Sequence, residues 1–452
     1  MRKSKSELST THIILLSFLA VIIVGALLLM LPISSATGEW TPFIDALFTS
    51  TTSTCVTGLV VVPTVSAWST FGHIVILFLI QIGGLGVITV AFGLTLIVNR
   101  RMGLSDRLLL QDAFNLNTLS GLAQFVEKVV LGTLAFEGAG ALLYMTVFVP
   151  EFGPKGIWIS VFTAVSAFCN AGLDIISVNS LADYVHNPVV NFVTCALVFL
   201  GGIGYIVWWD VVRVIRLRGK RRLKIFKSLT LHSKITLMTT IILIFGGALF
   251  VFIFEYDNPL TMKDFSLYQK VQSSVFQSVT TRTAGFFTVP QENFTNGSAL
   301  ISILLMFIGG SPVGTAGGVK TVTVAIVIET AISAIKNKND TTMFNRTISK
   351  QAVSKAIAVI CTSFIIMFTS TVFLSAVSDA NAIDIIYETV SATSTVGLSR
   401  NLTGFLNTAG KVIIIATMYF GRVGPISLAV ALRTKKQNSN IVKNPVEDVS
   451  VG

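Results

Sequence analysis

A short polar stretch ending in glycine recurs four times along this chain at a nearly constant interval, and no other feature restricts its fold as much. The copies are Thr54-Cys55-Val56-Thr57-Gly58-Leu59, Phe168-Cys169-Asn170-Ala171-Gly172-Leu173, Thr281-Arg282-Thr283-Ala284-Gly285-Phe286 and Ser394-Thr395-Val396-Gly397-Leu398. Their glycines are 114, 113 and 112 residues apart, and each follows an aromatic (Phe48, Phe162, Phe276, Tyr387) by about ten residues. One Thr-Gly-Leu means nothing, but four copies on one period indicate a fourfold internal repeat.

What each repeat wraps around its glycine is apolar. Only 12% of the 452 residues are charged, against roughly 25% in a soluble domain, and single apolar runs are too long for a soluble core. The run Thr11–Ser34, behind the basic start Met1-Arg2-Lys3-Ser4-Lys5, exceeds the usual signal-peptide core and lacks a small-residue cleavage site, so it reads as a retained helix. After it, Thr41-Pro42 opens an amphipathic run, Phe43 to Ser53, with Asp45 in its first turn. Such a segment is too short to span, which makes it a re-entrant helix. The chain then returns through the polar stretch to Gly58 and crosses again from Trp68 to Val98.

The same order recurs three more times: Gln124–Pro150, Gly156–Ala167 and Pro188–Arg213; Ile235–Glu255, Leu267–Thr280 and Ser298 onward; Ala356–Val377, Ala382–Ala392 and Gly410–Leu432. The expected fold is therefore an all-α membrane protein of four helix–re-entrant helix–helix repeats (approximately 11–101, 124–217, 235–335 and 356–432) around a pseudo-fourfold pore. Residues 102–122 read as an interfacial helix and 433–452 as a polar tail. No linker divides the chain, so residues 1–452 are expected to form one membrane domain.

Charge placement gives the topology. Of 33 Lys and Arg, 24 fall in five clusters, at residues 2–5, 100–107, 213–234, 336–355 and 433–443. They alternate with loops nearly free of positive charge, as in a multispanning protein with basic cytoplasmic loops. The net charge of +11 is thereby read as topogenic and lipid-facing rather than as a nucleic-acid surface. Eight spans with basic ends place both termini in the cytoplasm, in a multi-pass protein of the cell membrane. The cysteines (Cys55, Cys169, Cys195, Cys361) and histidines (His12, His73, His186, His232) show no metal-ligand spacing, and the first two cysteines follow the repeat rather than a disulfide.

Non-helical backbone at membrane depth is tolerated where it lines a cavity, which puts the four polar stretches on a pore. Glycine reaches backbone angles that turn successive carbonyls toward one axis, and rings of carbonyl dipoles replace the hydration shell of a cation. The expected ion-binding residues are Val56, Thr57, Gly58, Asn170, Ala171, Gly172, Thr283, Ala284, Gly285, Thr395, Val396 and Gly397. The short helices would aim their partly negative C-terminal ends at the cavity. These stretches carry no acidic ring of the kind that selects divalent ions.

A second glycine series trails the first: Gly83-Gly84-Leu85-Gly86, Gly201-Gly202-Ile203-Gly204, Gly309-Gly310 and Gly421-Arg422-Val423-Gly424. In the first two repeats it reads as close helix packing. In repeat three, Gly309-Gly310-Ser311-Pro312-Val313-Gly314-Thr315-Ala316-Gly317-Gly318 cannot hold a regular helix, so a flexible intramembrane loop is expected, placed to gate a pore. Gly318-Val319-Lys320-Thr321 only approximates a phosphate-binding loop, since Val319 separates glycine from lysine and no strand precedes it. Arg422 is the one cation in the apolar run Val412–Leu432. It either faces the pore or pairs with Glu329, Glu388 or a backbone carbonyl.

The four glycine stretches, the glycine-rich break in repeat three, Lys320 and Arg422 resemble the Trk/Ktr/HKT superfamily of potassium transporters across nearly the whole chain. Without the extra N-terminal pair of spans of its TrkH branch, the chain looks most like the membrane subunits of bacterial Ktr systems. That resemblance implies potassium uptake, with Gly58 standing where some plant members carry serine and sodium preference. It further implies a gate built from Gly309–Gly318, Lys320 and Arg422, a homodimer with one pore per subunit, and activation by sodium. A cytosolic ring of the KtrA/KtrC type would bind ATP or ADP, with no cofactor on this chain. The competing class is an alternating-access transporter of sodium or another monovalent cation, built from inverted repeats. The four repeats here share one orientation, which favours a channel-like path. No nucleophile–base pair suggests an enzyme.

Overall fold

The computed structural model describes residues 10–87, 89–90, 122–218 and 225–424. Of the expected interfacial helix at 102–122, all but Leu122, which begins the next outer helix, lies outside the described residues, as do the tail at 433–452 and the basic clusters at 2–5, 100–107 and 433–443.

Each repeat supplies an outer helix, a short helix and an inner helix. The outer helices are Thr10–Met30, Leu122–Phe152, Leu231–Glu255 and Lys350–Ser375, each long and apolar enough to cross a membrane. Their free faces carry apolar side chains at helical spacing, such as Phe245, Leu249 and Ile253, or Phe364, Ile365 and Phe368, all exposed. Apolar faces of this kind belong against lipid. The short helices are Phe43–Thr54, Lys155–Cys169, Leu267–Thr280 and Ala382–Ser394. Each packs on the outer helix of its own repeat and ends just before its polar stretch.

The inner helices start where the sequence caps them. Ser69, Asn187, Thr295 and Asn407 each accept a hydrogen bond from a first-turn amide, satisfying donors that a helix start leaves orphaned. Where these helices stop differs from expectation. The sequence suggested continuous spans over Trp68–Val98, Pro188–Arg213 and Gly410–Leu432, broken only in repeat three. Instead the inner helices end at Leu85, Gly202, Phe307 and Val423. In repeats one, two and four the last glycine of the series sits just beyond, at φ +86° (Gly86), +92° (Gly204) and +92° (Gly424). That left-handed geometry stops a helix and is open to glycine. In repeat two the chain resumes as Tyr205–Arg218, bent by 95°; in repeat three it resumes as Thr321–Ile335.

The link between repeats three and four holds a short hairpin within the basic stretch 336–355. Thr342–Met343 pairs antiparallel with Arg346–Thr347, and Phe344 and Asn345 turn the chain with φ of 49° and 60°. Positive φ at both central residues is the tight hairpin turn whose twist matches the flanking strands.

Candidate ion pathway

The four repeat glycines meet. All have positive φ (+99°, +65°, +81° and +95° for Gly58, Gly172, Gly285 and Gly397), and two residues before each stands a left-handed non-glycine: Val56, Asn170, Thr283 and Thr395. A β-carbon on Gly58 would lie 2.5 Å from the Ala171 carbonyl oxygen. One on Gly172 would lie 2.6 Å from that of Ala284, and one on Gly285 would lie 2.8 Å from that of Val396. Gly397 faces the Thr57 carbonyl oxygen and closes the cycle. Each glycine therefore abuts the carbonyl preceding the glycine of the next repeat, and the series returns to its start. Backbone oxygens of Thr57, Ala171, Ala284 and Val396 crowd one axis, and no side chain intervenes. All four glycines line a vestibule of about 570 Å³, together with Asp174, Glu292, Asn179 and Asn401.

Hydroxyls on the short helices hold this geometry. The Gly58 amide donates to Thr52 Oγ1 (3.0 Å), the Leu173 amide to Ser166 Oγ (3.1 Å) and the Gly397 amide to Ser391 Oγ (3.1 Å). The residue before each glycine also donates back to its helix, Thr57 to Thr52, Ala171 to Ser166 and Val396 to Ser391, each at 2.8 Å. Repeat three is one residue shorter between aromatic and glycine. There Thr280 donates its hydroxyl to the Phe286 carbonyl, and Ala284 reaches back four residues rather than five. These anchors were not among the expected site residues, although a hydroxyl six residues before the glycine in three repeats, at Thr52, Ser166 and Ser391, is a readable signal.

The second glycine series packs under the first. A β-carbon on Gly83, Gly201 or Gly421 would collide with the carbonyl of Thr54, Phe168 or Thr393, four residues before the glycine of its own repeat. Close packing thus explains repeat four as well as repeats one and two.

Residues Gly309–Gly318 form a loop beneath the ring. Its base is closed by pairing of Ile308 with Val319 and by the Thr321 amide on the Gly310 carbonyl (3.0 Å). The Ser311 and Thr315 amides donate to the carbonyls of Gly202 (2.8 Å) and Gly201 (3.1 Å), and the Tyr205 amide donates to Val313 (2.8 Å). The loop is thereby seated on the break in the inner helix of repeat two. Its tip reaches the polar stretches: the Thr315 hydroxyl is shared between the Phe168 carbonyl (3.1 Å) and Asn170 Oδ1 (3.2 Å), and the Gly317 amide donates to Thr283 Oγ1 (3.2 Å).

Three cations hold the loop. Arg422 donates to the carbonyls of Thr315 (2.7 Å) and Gly83 (2.5 Å). Of its candidate partners, backbone carbonyls take it, and neither Glu329 nor Glu388 does; Glu388 instead accepts from Ser399 (2.6 Å) and Thr403. Lys320 Nζ donates to the carbonyls of Ala316 (2.6 Å) and Gly317 (3.3 Å). The third is Arg282, buried, donating to Gly309 (3.1 Å) and Thr240 (3.3 Å). Arg282 was not among the expected gate residues, though it stands where the other repeats have Cys55, Cys169 and Ser394. Also missed was Glu137, the one acid in the apolar stretch 131–148. It is buried and accepts from Gln81 Nε2 (3.3 Å) and Cys169 Sγ (3.7 Å).

Residues 3–443 match the TrkH family, described as cation transport protein. The chain belongs to the TrkH family. Its relatives include the Ktr system potassium uptake protein B of Bacillus subtilis, 40% identical over 95% of this chain and 94% of that one. The potassium/sodium uptake protein NtpJ of Enterococcus hirae is 35% identical over 100% of this chain and 99% of the other. Among solved structures, the potassium transporter TrkH from Vibrio parahaemolyticus superposes with a TM-score of 0.74, covering 96% of this chain and 87% of that one. At 15% identity that likeness speaks for the fold, four repeats around one pore, and membership places the chain among multi-pass membrane cation transporters rather than enzymes.

For a TrkH-family chain the acids of the vestibule carry a measurable consequence. Asp174, two residues beyond Gly172, lies in the loop that follows the polar stretch. Burial pushes its carboxyl up to about 6, against hydrogen bonds from the Ile176 amide, Ser180 and Ser177 that favour the charged form. Above that pH the carboxylate attracts cations to the mouth; below it the acid is neutral and the attraction is lost. Cation uptake at subsaturating concentration is therefore expected to fall as the vestibule-side pH drops through about 6. In Asp174→Asn the profile over about pH 5 to 8 should flatten at the low value. A wild-type profile that Asp174→Asn reproduces would remove Asp174 from this role.

Proposed function

We propose that this chain is the pore-forming subunit of a Ktr-type potassium uptake system, conducting potassium through the carbonyl ring at Gly58, Gly172, Gly285 and Gly397. The observation that carries the reading is the closed cycle in which each glycine abuts the carbonyl before the next. Such a ring offers oxygen dipoles to a dehydrated monovalent cation and carries no side-chain charge suited to a divalent one. Relatives named as potassium uptake proteins support potassium as the ion. One relative is named for potassium and sodium, so sodium belongs in the test both as a competing ion and as an activator.

The vestibule faces the outside and the loop faces the cytoplasm, where both termini lie. Gly309–Gly318, with Lys320 and Arg422, closes the path below the filter. Two copies pair, each with its own pore, in contact with membrane lipid. Nucleotide control arrives through a soluble ring of the KtrA/KtrC type, since no nucleotide motif is recognisable here. Four repeats of one orientation around a single axis favour this path over rocking of inverted halves.

The test is uptake of potassium and of sodium in cells lacking their own potassium uptake systems, with and without a soluble Ktr partner. Potassium uptake that the partner raises is expected; sodium uptake without discrimination would refute a potassium filter. The purified chain alone is expected to show no saturable ATP binding, and saturable binding would count against control through a partner.

A further inference from the structure

The link between the inner helix of repeat three and the outer helix of repeat four is basic. It carries Lys336, Lys338, Arg346, Lys350 and Lys355 against a single acid, Asp340. All six are exposed, and none takes an ion pair among the described residues, whose salt bridges lie at Asp210, Asp384 and Asp45. Topology accounts for a basic link, but not for the cavity that this one encloses. About 360 Å³ lies between the end of Thr321–Ile335, the hairpin and the start of Lys350–Ser375. Its walls are fixed. The Ile348 amide closes the hairpin on the Thr341 carbonyl (2.9 Å), and Thr341 Oγ1 meets Thr330 Oγ1 at 3.2 Å. Phe344, at the hairpin tip, packs edge-on against Phe226.

The lining divides into two sides. Ile348, Val353 and Ile357 are apolar, and Ile348 and Val353 belong to a small core with Ile326 and Ala356. Lys350, Ser354, Asn339 and Asp340 join the two threonines on the polar side. Lys350 opens an outer helix long and apolar enough to cross a membrane, so the cavity stands at the membrane boundary. Ile357 is exposed and lies two helical turns before Phe364, on the row that continues to Phe368 against lipid. The apolar side therefore opens toward acyl chains and the polar side toward headgroups.

We propose that this cavity binds one anionic phospholipid with a hydroxyl-bearing headgroup, of the phosphatidylglycerol type. The Lys350 ammonium and the Ser354 hydroxyl donate to the phosphodiester, and the surrounding cations favour an anionic lipid over a neutral one. Asp340 decides between a lipid and a free phosphate. Its carboxylate repels a multiply charged inorganic phosphate, yet accepts hydrogen bonds from the glycerol hydroxyls of the headgroup. Ile357 covers the first part of an acyl chain. The site is separate from the ion path and does not depend on how that path selects or closes.

The test is native mass spectrometry of the full chain in detergent, titrated with phosphatidylglycerol, phosphatidylcholine or inorganic phosphate. The first phosphatidylglycerol is expected to bind at least about tenfold more tightly than phosphatidylcholine, and Lys350→Ala should weaken it about fivefold. Ser354→Leu fills the cavity without changing charge and should cost as much. Lys336→Ala removes the same charge outside the cavity and should leave the first binding step as in wild type. Equal losses in Lys336→Ala and Lys350→Ala would show diffuse attraction to a basic surface and overturn the site. So would wild-type affinity in Ser354→Leu, or no preference for phosphatidylglycerol over phosphatidylcholine. Inorganic phosphate that displaces the lipid would make this a free-anion site and refute the lipid.

Discussion

Gly58→Ser is expected to lower potassium-over-sodium discrimination at least about tenfold, a loss of about 1.4 kcal/mol at the selective step. Two physical effects act together. Gly58 has φ +99°, a backbone angle that costs a side-chain-bearing residue of order 1–3 kcal/mol. A β-carbon would also stand 2.5 Å from the Ala171 carbonyl oxygen and 3.2 Å from the Gly397 α-carbon. Both neighbours are backbone, so the ring itself must move, and a carbonyl displaced from the axis no longer matches the ion it selects. Because the ring is a cycle, substitutions at Gly172, Gly285 and Gly397 should act in the same direction. The measurement is competition of sodium against potassium uptake by each variant, with membrane abundance checked. Unchanged apparent affinities for both ions in all four well-expressed variants would remove the carbonyl filter.

Deleting Val313–Thr315 is expected to raise potassium flux and to make it nearly independent of a soluble partner. The deletion spares the paired base of the loop, Ile308 with Val319 and Gly310 with Thr321. It removes the Val313 acceptor of the Tyr205 amide, the Thr315 contacts with Phe168 and Asn170, and the carbonyl that Arg422 holds. A hydrogen bond from a charged group contributes about 1.5–3 kcal/mol, so Arg422→Ala alone should move the closed–open balance by about 2 kcal/mol, or about 30-fold. The double variant should add little, because both changes remove one barrier. A correctly assembled deletion protein with wild-type flux would sink the gating role, and abolished flux would show the loop to be a structural kink.

The glycine period, the polar stretches and the break in repeat three were all legible because each is a local demand on the backbone. Gly58, Gly172, Gly285 and Gly397 sit at positive φ with a backbone carbonyl where a β-carbon would stand, a combination that glycine meets without strain. The loop at Gly309–Gly318 follows from a proline and five glycines that no helix accommodates. The breaks in the other inner helices were less legible, because a Gly-Gly-x-Gly run permits both close packing and a stop. Only the positive φ at Gly86, Gly204 and Gly424 separates the two. Arg422 was legible as a costly buried cation with a backbone carbonyl among its candidate partners, but which carbonyls take it was not, since Gly83 and Thr315 lie more than a hundred residues away.

The sequence by itself determined four copies of one membrane unit, each with its glycine just beyond a short re-entrant helix, because period, hydropathy and backbone permissiveness are properties of neighbouring residues. Only the tertiary structure decided that the four units close into a ring and that the loop tip rests on Asn170, Thr283 and Thr395. It also decided that Arg282, Lys320 and Arg422 hold that loop through carbonyls. Those contacts join residues far apart in the chain through backbone atoms that every residue carries, so no pattern of side chains announces them.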